Sequence, residues 1–183
     1  MINNNVRNKL IHFKKQDYLS FIKDKNDRQL ENSFPKKSYL YLFNKYFCHP
    51  FYNYHVYGIQ NIDGIFTFLV LRICSHESKN ALRIVDFYGP VENFKSIFQC
   101  LQELLEYFDA EYLDFYNFGL SENLLLDTGF IKVDSNNEIS LPNYFEPFDE
   151  NSVNLIYAYK ADKKLDFLIC KADSDQDRPN IIT

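Results

Sequence analysis

The sequence has no tryptophan, a single methionine and only five glycines among its 183 residues. Its four cysteines are scattered and form no Cys-x-x-Cys pair, so we expect reduced thiols rather than a disulfide framework. The longest apolar run, from Ile65 to Leu71, has the length of a strand, which predicts no membrane span. The amino-terminal residues lack the apolar middle of a secretory signal, and we therefore expect a cytoplasmic protein.

The chain also lacks an excess of positive charge. It has 20 Lys and Arg against 25 Asp and Glu, a net charge of −5, and the two signs are mixed along the sequence. A nucleic-acid surface requires a basic stripe, so we predict no nucleic-acid partner. The length predicts a single domain over residues 1–183, with a polar amino-terminal arm at 1–14 and an acidic carboxy-terminal tail at 172–183.

The first half of the chain predicts two helices followed by three strands. The helices are expected at 17–34 and at 38–47, with Ser38 as the amino-terminal cap of the second. Alternating apolar runs at 51–60, 65–74 and 81–87 are separated by short polar turns, which is typical of an antiparallel meander. Ile84 and Val85 are adjacent and both apolar, as expected in a strand that is buried on both faces.

After Gly89 the apolar period lengthens to that of a helix. One face of the predicted helix carries seven apolar residues: Phe94, Ile97, Phe98, Leu101, Leu104, Leu105 and Phe108. A strand at 110–118 follows, and the strand–helix–strand order implies a parallel pair. A short helix then ends at Gly129, residues 133–152 allow at most a short hairpin, and two last strands are expected at 153–160 and 165–171. The fold class is therefore α/β (α+β), with a mixed sheet and flanking helices.

Two carboxylates stand near the ends of the neighbouring central strands. If the strands splay, Asp86 and Asp114 can line one cleft, where a desolvated carboxylate can take a proton from an amine. Tyr116 and Asn117 would then orient the substrate. The alternative is that one of them caps a helix or pairs with Lys or Arg at the edge of the sheet.

Histidines and the acidic carboxy terminus offer further candidates. His55 is placed in a strand, where it can contact substrate or act as a base, or can be a hydrogen-bonded structural residue. The Cys-His pairs at 48–49 and 74–76 do not repeat at zinc-ligand spacing, so we predict no metal there. The stretch "DSDQDRPN" lacks the Gly and Glu of a calcium loop; it either folds back to line the substrate cleft or is a solvated tail.

The order of elements resembles the GNAT superfamily of N-acyltransferases over roughly residues 35–171. The resemblance is carried by "IVDFYGPVENFKSIFQCLQELLEYF" and "YLDFYNFGLSENLLLDTGF". The pieces "NKYFCHPFYNYHVYGI" and "ADSDQDRPN" also look similar to GNAT-like proteins of bacterial surface-glycan clusters. The resemblance implies a mixed GNAT-like sheet, acetyl-CoA or another acyl-CoA as donor, and a small-molecule amine or nucleotide-linked amino sugar as acceptor. It also implies that Phe87, Tyr88 and Gly89 face the acyl carrier.

Two positions depart from the family pattern. The pyrophosphate loop of the family has Gln or Arg, two residues of any type, Gly, one residue of any type, and then Gly or Ala. This chain has "FYGPVEN" there, with one Gly and neither Gln nor Arg. Pro90 has no N–H to donate, and Glu92 places negative charge where a pyrophosphate would lie. The general acid of the family, a Tyr in the short helix, is replaced by Leu125, which leaves Tyr88 or Tyr116 as the nearest substitutes.

Two functions are therefore predicted from the sequence. The first is an N-acyltransferase of polysaccharide biosynthesis in which Asp86, Asp114 and Tyr116 are catalytic, with His55 and Asn117 at the acceptor. The second is a non-catalytic binding or assembly module with the same fold that has lost its acyl-CoA site.

Overall fold

A mixed five-stranded sheet forms the centre of the fold. The computed structural model describes residues 9–23, 35–60, 66–134, 139–145, 148–151, 156, 158, 160 and 167–174. In spatial order the strands are β1 (Lys9–Phe13), β2 (Tyr54–Gln60), β3 (Phe66–His76), β4 (Lys79–Tyr88) and β5 (Ala110–Phe115). The first four are antiparallel and β4 is parallel to β5. The predicted α+β class, with a meander and a parallel pair, is confirmed at this level.

The sheet includes part of the segment predicted as an arm. Residues 9–13 form the edge strand β1, with Leu10 packed towards one face and Ile11 and Phe13 towards the other. The turn between β3 and β4 places Glu77 and Ser78 at φ of 46° and 66°. Two successive residues with positive φ are typical of the tight turns that match the twist of a hairpin.

Four helices flank the sheet in the described part of the chain. They are α1 (Lys15–Lys23), α2 (Tyr39–Leu42), α3 (Phe98–Tyr107) and α4 (Glu122–Asp127). The α2 helix continues as a π-helical turn, Phe43–Phe47, and begins where expected, because the Ser38 side chain accepts a hydrogen bond from the Tyr41 backbone N–H at 3.1 Å. No helix within the described ranges is both long and apolar enough to cross a membrane.

Each face of the sheet carries its own apolar core. The α3 face buries Leu69, Leu71, Leu82 and Ile84 against α3 and the turn before it. Of the seven residues predicted for the apolar face of this helix, six pack into that core and only Phe98 is largely exposed. The opposite face, which we call the α2 face, packs α1, α2 and the π-helical turn over Val56, Phe68, Val70 and Val85.

A β-bulge in β4 reverses the side-chain alternation. Leu71 pairs with Ile84, yet the preceding Val70 pairs with Asp86, so Val85 is the extra residue. Without the bulge, Asp86 would follow Leu82 and Ile84 onto the α3 face. The bulge turns it onto the α2 face beside Val70, while Ile84 and Val85 are both fully buried, on opposite faces, as predicted.

The parallel strands β4 and β5 separate at their carboxyl ends. Their pairing ends at Ile84 and Phe115, although β4 runs on to Tyr88. The chain continues after β5 as β6 (Asn117–Phe118), which pairs with β9 (Ile169–Cys170). Of the strand predicted at 165–171, the described residues 167–171 contain the two-residue strand Ile169–Cys170, which pairs with β6. Residues 165–166, and residues 153–155, 157 and 159 of the predicted partner strand, lie outside the described residues. The short hairpin allowed in the insertion is formed by β7 (Tyr144–Phe145) and β8 (Phe148–Asp149).

Two glycines close turns that another residue would strain. Gly129 ends α4 with φ of 83°, in the left-handed region predicted for it. Gly119 follows β6 with φ of 119°. A Cβ atom at Gly129 would meet the ring of Phe98, whereas one at Gly119 would lie 1.6 Å from the backbone carbonyl oxygen of Phe167. The second contact can be relieved only by moving backbone.

We therefore predict that Gly119→Ala destabilises the protein more than Gly129→Ala, measured by denaturant unfolding. Gly129→Ala should lower the free energy of unfolding by about 1–2 kcal/mol, which is the cost of positive φ for alanine. The contact with Phe98 should add little, because this exposed ring can move. Gly119→Ala should lower it by about 3 kcal/mol or more, because backbone displacement adds to the strain of positive φ. Equal costs would contradict the tight approach of residue 167 to β6.

Candidate functional site

Asp86 is fully buried at the centre of a polar network on the α2 face. One carboxylate oxygen accepts hydrogen bonds from the Lys37 ammonium and from the Phe87 backbone N–H, at 2.8 and 2.9 Å. The other accepts from the hydroxyls of Tyr46 and Tyr88. The pKa values of both tyrosines are raised well above their ordinary value, first by burial and then by the Asp86 charge. Both therefore stay protonated and act as fixed donors to the carboxylate.

Lys37 joins this network to the carboxy-terminal end of the described chain. Its ammonium lies 2.8 Å from Asp86 Oδ1 and 2.7 Å from Asp173 Oδ1, and the side chain is almost fully buried. We call this arrangement the Lys37 bridge. Burial by itself lowers the pKa of Lys37, but the two carboxylates outweigh burial and raise it. The ammonium is therefore charged throughout the physiological range.

Asp173 gains a proton more readily in the folded chain than an ordinary aspartate does. Its pKa is raised, first by burial and then by repulsion from Asp86, although Lys37 and the Cys170 backbone N–H oppose the shift. One ammonium shared by two buried carboxylates leaves a net negative charge, which explains the direction. The pKa of the neighbouring Cys170 thiol is raised by burial and by Asp86, so Cys170 is not an activated nucleophile.

Residues 169–173, which we call the closing segment, lie in the gap where β4 and β5 separate. On one side Cys170 pairs with Asn117 of β6. On the other side β9 and the turn that follows it, Lys171–Asp173, both contact β4. Cys170 is fully buried. The gap that the sequence predicted is present, and the protein's own chain fills it.

Asp114 belongs to a separate buried network. Two guanidinium nitrogens of Arg83, Nε and Nη2, donate to its carboxylate at 2.8 and 2.6 Å. The same guanidinium donates to the backbone carbonyls of Pro142 and Asn143. Asp86 and Asp114 share no partner among the side chains described. The alternative of pairing with Lys or Arg, left open by the sequence, is what the geometry shows for both carboxylates.

The remaining predicted site residues are distributed around these two networks. Tyr116 stacks near Arg83 and has the Lys171 ammonium 4.7 Å from its ring centroid; its pKa is raised, mainly by burial. The Asn117 side chain donates to the backbone carbonyl of Phe115. His55 lies on the α3 face, against Phe108 at a centroid distance of 4.9 Å, and so is separated from Asp86 by the sheet.

In the junction after β4, the backbone and side chain of Asn93 form hydrogen bonds within the protein. Phe87 and Tyr88 are buried, and Gly89 and Pro90 lead into a 3-10 turn, Val91–Ser96, before α3 begins at Phe98. The Asn93 backbone N–H donates to the Pro90 carbonyl at 3.1 Å, and its side-chain amide donates to the Thr67 hydroxyl at 2.9 Å. The Asn93 N–H is thus already bonded within the turn, and Glu92 in the first turn adds negative charge that disfavours an anion.

A cavity of about 500 Å³ opens beside the Lys37 bridge on the α2 face. Its wall includes Lys36, Lys37 and Lys45 from the start of α2 and its π-helical turn. Asp173 and Ser174 close it from the carboxy-terminal side. The part of the predicted tail that is described thus folds back against a cavity, and residues 175–183 lie outside the described residues.

The donor atoms of Asp86, Cys170 and Asp173 lie within 4.8 Å of one another, as in many metal sites. The Lys37 ammonium, however, contacts both carboxylates at hydrogen-bond distance. It supplies the positive charge that a cation would otherwise bring. This set of donors therefore does not fit a metal ion without displacement of Lys37.

Comparisons of the chain with protein-family models, curated proteins and solved structures give no match. The functional argument consequently depends on the geometry of the chain itself.

Several residues of the site could not be identified from the sequence. From the sequence, Lys36 is as good a candidate as Lys37 for a buried ion pair, and only the structure shows that Lys37 is the buried one. Tyr46 and Cys170 lie in apolar stretches where nothing distinguishes them from core residues. The one usable signal was the acidic stretch that begins at Asp173, which indicated a segment able to fold back.

Lys37→Met should lower the free energy of unfolding by about 3–5 kcal/mol, because it leaves two buried carboxylates without their shared ammonium. Lys36→Met, one residue away and exposed, removes the same charge and should change stability by no more than about 0.5 kcal/mol. Denaturant unfolding at neutral pH measures both. Similar effects from the two substitutions would show that the bridge does not stabilise the fold.

The cost of Lys37→Met should also depend on pH. Because the pKa of Asp173 is raised, the folded chain holds this proton more tightly than the unfolded chain, so stability is gained at acid pH and lost as pH rises through that pKa. Removing Lys37 enlarges this effect. We expect the difference in unfolding free energy between the wild type and Lys37→Met to shrink as pH falls from 7 towards 4. A difference independent of pH would contradict the assignment.

Proposed function

We propose that the chain is a GNAT-like fold that serves as a binding module and no longer admits an acyl-CoA. The observation that carries the proposal is the closing segment, which lies between β4 and β6 where a thioester arm would have to enter. Cys170 is fully buried there, and Asp173 fixes the end of the segment to Asp86 through Lys37.

The groups required for acyl transfer support the same reading. The tyrosine position of the family's short helix is Leu125, which packs against the core of the α3 face. Of the substitutes, Tyr88 is fully buried and donates to Asp86, while Tyr116 lies between Arg83 and Lys171. Neither hydroxyl combines an open approach with a carboxylate that could serve as general base, because Asp86 and Asp114 are each engaged by a cation.

The rival function, N-acyl transfer to an amine or amino sugar, requires the closing segment to leave the gap. Cys170 reports directly on that movement, because its thiol is buried only while the segment is in place. Cys48 is exposed and provides an internal control in the same chain.

We predict that millimolar acetyl-CoA leaves the alkylation rate of Cys170 unchanged, measured by peptide mass spectrometry of the full chain. Without ligand, Cys170 should react about a hundredfold or more slowly than Cys48, because a buried thiol reacts only after local opening. S-acetylpantetheine, the thioester arm without phosphates, should give no heat in calorimetry. Binding of either compound accompanied by faster labelling of Cys170 would favour the acyltransferase and overturn the proposal.

A further inference from the structure

The cavity beside the Lys37 bridge concentrates positive charge in a concave site. Its wall carries Lys36, Lys37 and Lys45, and we call it the lysine pocket. Two of the three ammonium groups have no carboxylate partner among the described residues: Lys36 is exposed, and Lys45 bonds to the Tyr41 hydroxyl and the Ala172 carbonyl, both neutral. The third, Lys37, is engaged by Asp86 and Asp173.

Among the described residues, the balance of charge at the pocket is positive even when both buried carboxylates are included. Three described ammonium groups lie beside two described carboxylates, which leaves one net positive charge, and the raised pKa of Asp173 works in the same direction. The chain as a whole is acidic, with a net charge of −5. A local excess of the opposite sign in a concave wall attracts anions and focuses them there.

The neutral groups of the wall add hydrogen-bond donors. His49 accepts hydrogen bonds at Nδ1 from the backbone N–H groups of Phe51 and Tyr52, at 3.2 and 2.9 Å, which places the ring proton on Nε2. Tyr41 and Tyr54 line the same wall and present aromatic surface with a hydroxyl. A ligand in this pocket would lie close to the lysine ammonium groups and to the His49 N–H, and could also contact the rings of Tyr41 and Tyr54.

From this geometry we infer that the lysine pocket binds a small molecule that carries a phosphate or diphosphate group. Lysine ammonium groups bind phosphate as point charges, and a phosphate group, with a charge of about −1.5 to −2 at neutral pH, offers Lys36 and Lys45 more negative charge than a single carboxylate does. A volume of about 500 Å³ suits a small ligand rather than a polymer. The inference rests on the proposed function in one respect: the ligand is held at this pocket and is not acylated in the closed gap.

Titration calorimetry with inorganic pyrophosphate tests the inference on the full chain. We expect saturable binding that weakens at least about tenfold in Lys45→Gln and in Lys36→Gln, since each removes a charge-assisted contact. Lys95→Gln is the matched control: it removes the same charge from an exposed residue of the 3-10 turn before α3 and should change affinity by less than about twofold. Lys36 makes no described contact, so its variant tests the pocket without disturbing the fold.

No heat with pyrophosphate at millimolar concentration, or equal weakening by Lys95→Gln, would overturn the inference. Orthophosphate, a sugar monophosphate and a nucleoside diphosphate then separate the sources of the group: tighter binding of the nucleoside diphosphate than of pyrophosphate identifies a nucleotide ligand. Acetyl-CoA carries a diphosphate of its own. Acetyl-CoA binding that Lys45→Gln abolishes, with Cys170 still protected, belongs to the lysine pocket, whereas binding that exposes Cys170 refutes the proposed function and not this inference.

Discussion

The architecture around the site depends on one ammonium group shared by two buried carboxylates. Lys37 precedes α2, Asp86 lies in β4 and Asp173 is close to the end of the described chain, so a single side chain fixes three distant parts of the sequence. Burying these charges is costly, and their attraction offsets the cost only while all three remain together. The closing segment is therefore held by electrostatics as much as by packing.

The bulge in β4 makes the Lys37 bridge possible. Strict alternation would direct Asp86 into the apolar α3 face, where a buried carboxylate would have no partner. One extra residue, Val85, turns Asp86 towards Lys37, Tyr46 and Tyr88, and moves Phe87 into the α3 core. A local irregularity of the backbone thus decides whether this carboxylate is tolerated, and it places the polar network and the pocket on the same face.

Periodicity predicted the elements well and the site poorly, for a physical reason. The helical spacing from Phe94 to Phe108 and the cap at Ser38 are local properties, so the sequence reveals them directly. The bulge is not visible in a pattern of apolar residues, because Ile84 and Val85 read equally well as a strand buried on both faces. Lys37 is 49 residues from Asp86 and 136 from Asp173, and Arg83 is 31 residues from Asp114, so no short-range pattern encodes these pairings.

The sequence indicates two departures from the acyl-carrier pattern of the family that it resembles, at Pro90 and at Leu125. Each was compatible with a working enzyme that had found substitutes elsewhere. The closing segment is a third feature of a different kind. It does not remove a group that acyl transfer needs; it occupies the gap between β4 and β6. Its carboxylate satisfies Lys37, so removing it would leave that ammonium paired with Asp86 alone.

The free energy that holds the closing segment in place would lower the affinity of the gap for an acyl-CoA. An acyl-CoA entering the gap would have to separate Asp173 from Lys37, and breaking one partner from a buried charge pair costs about 3–5 kcal/mol. That cost alone weakens the apparent affinity by a factor of roughly 10² to 10³ or more, because each 1.4 kcal/mol is tenfold. A ligand in the lysine pocket meets no such barrier, since Lys36 and Lys45 already face the cavity. In the arrangement that we propose, the closing segment disfavours acyl-CoA, and its residues Ala172 and Asp173 form part of the wall of the lysine pocket.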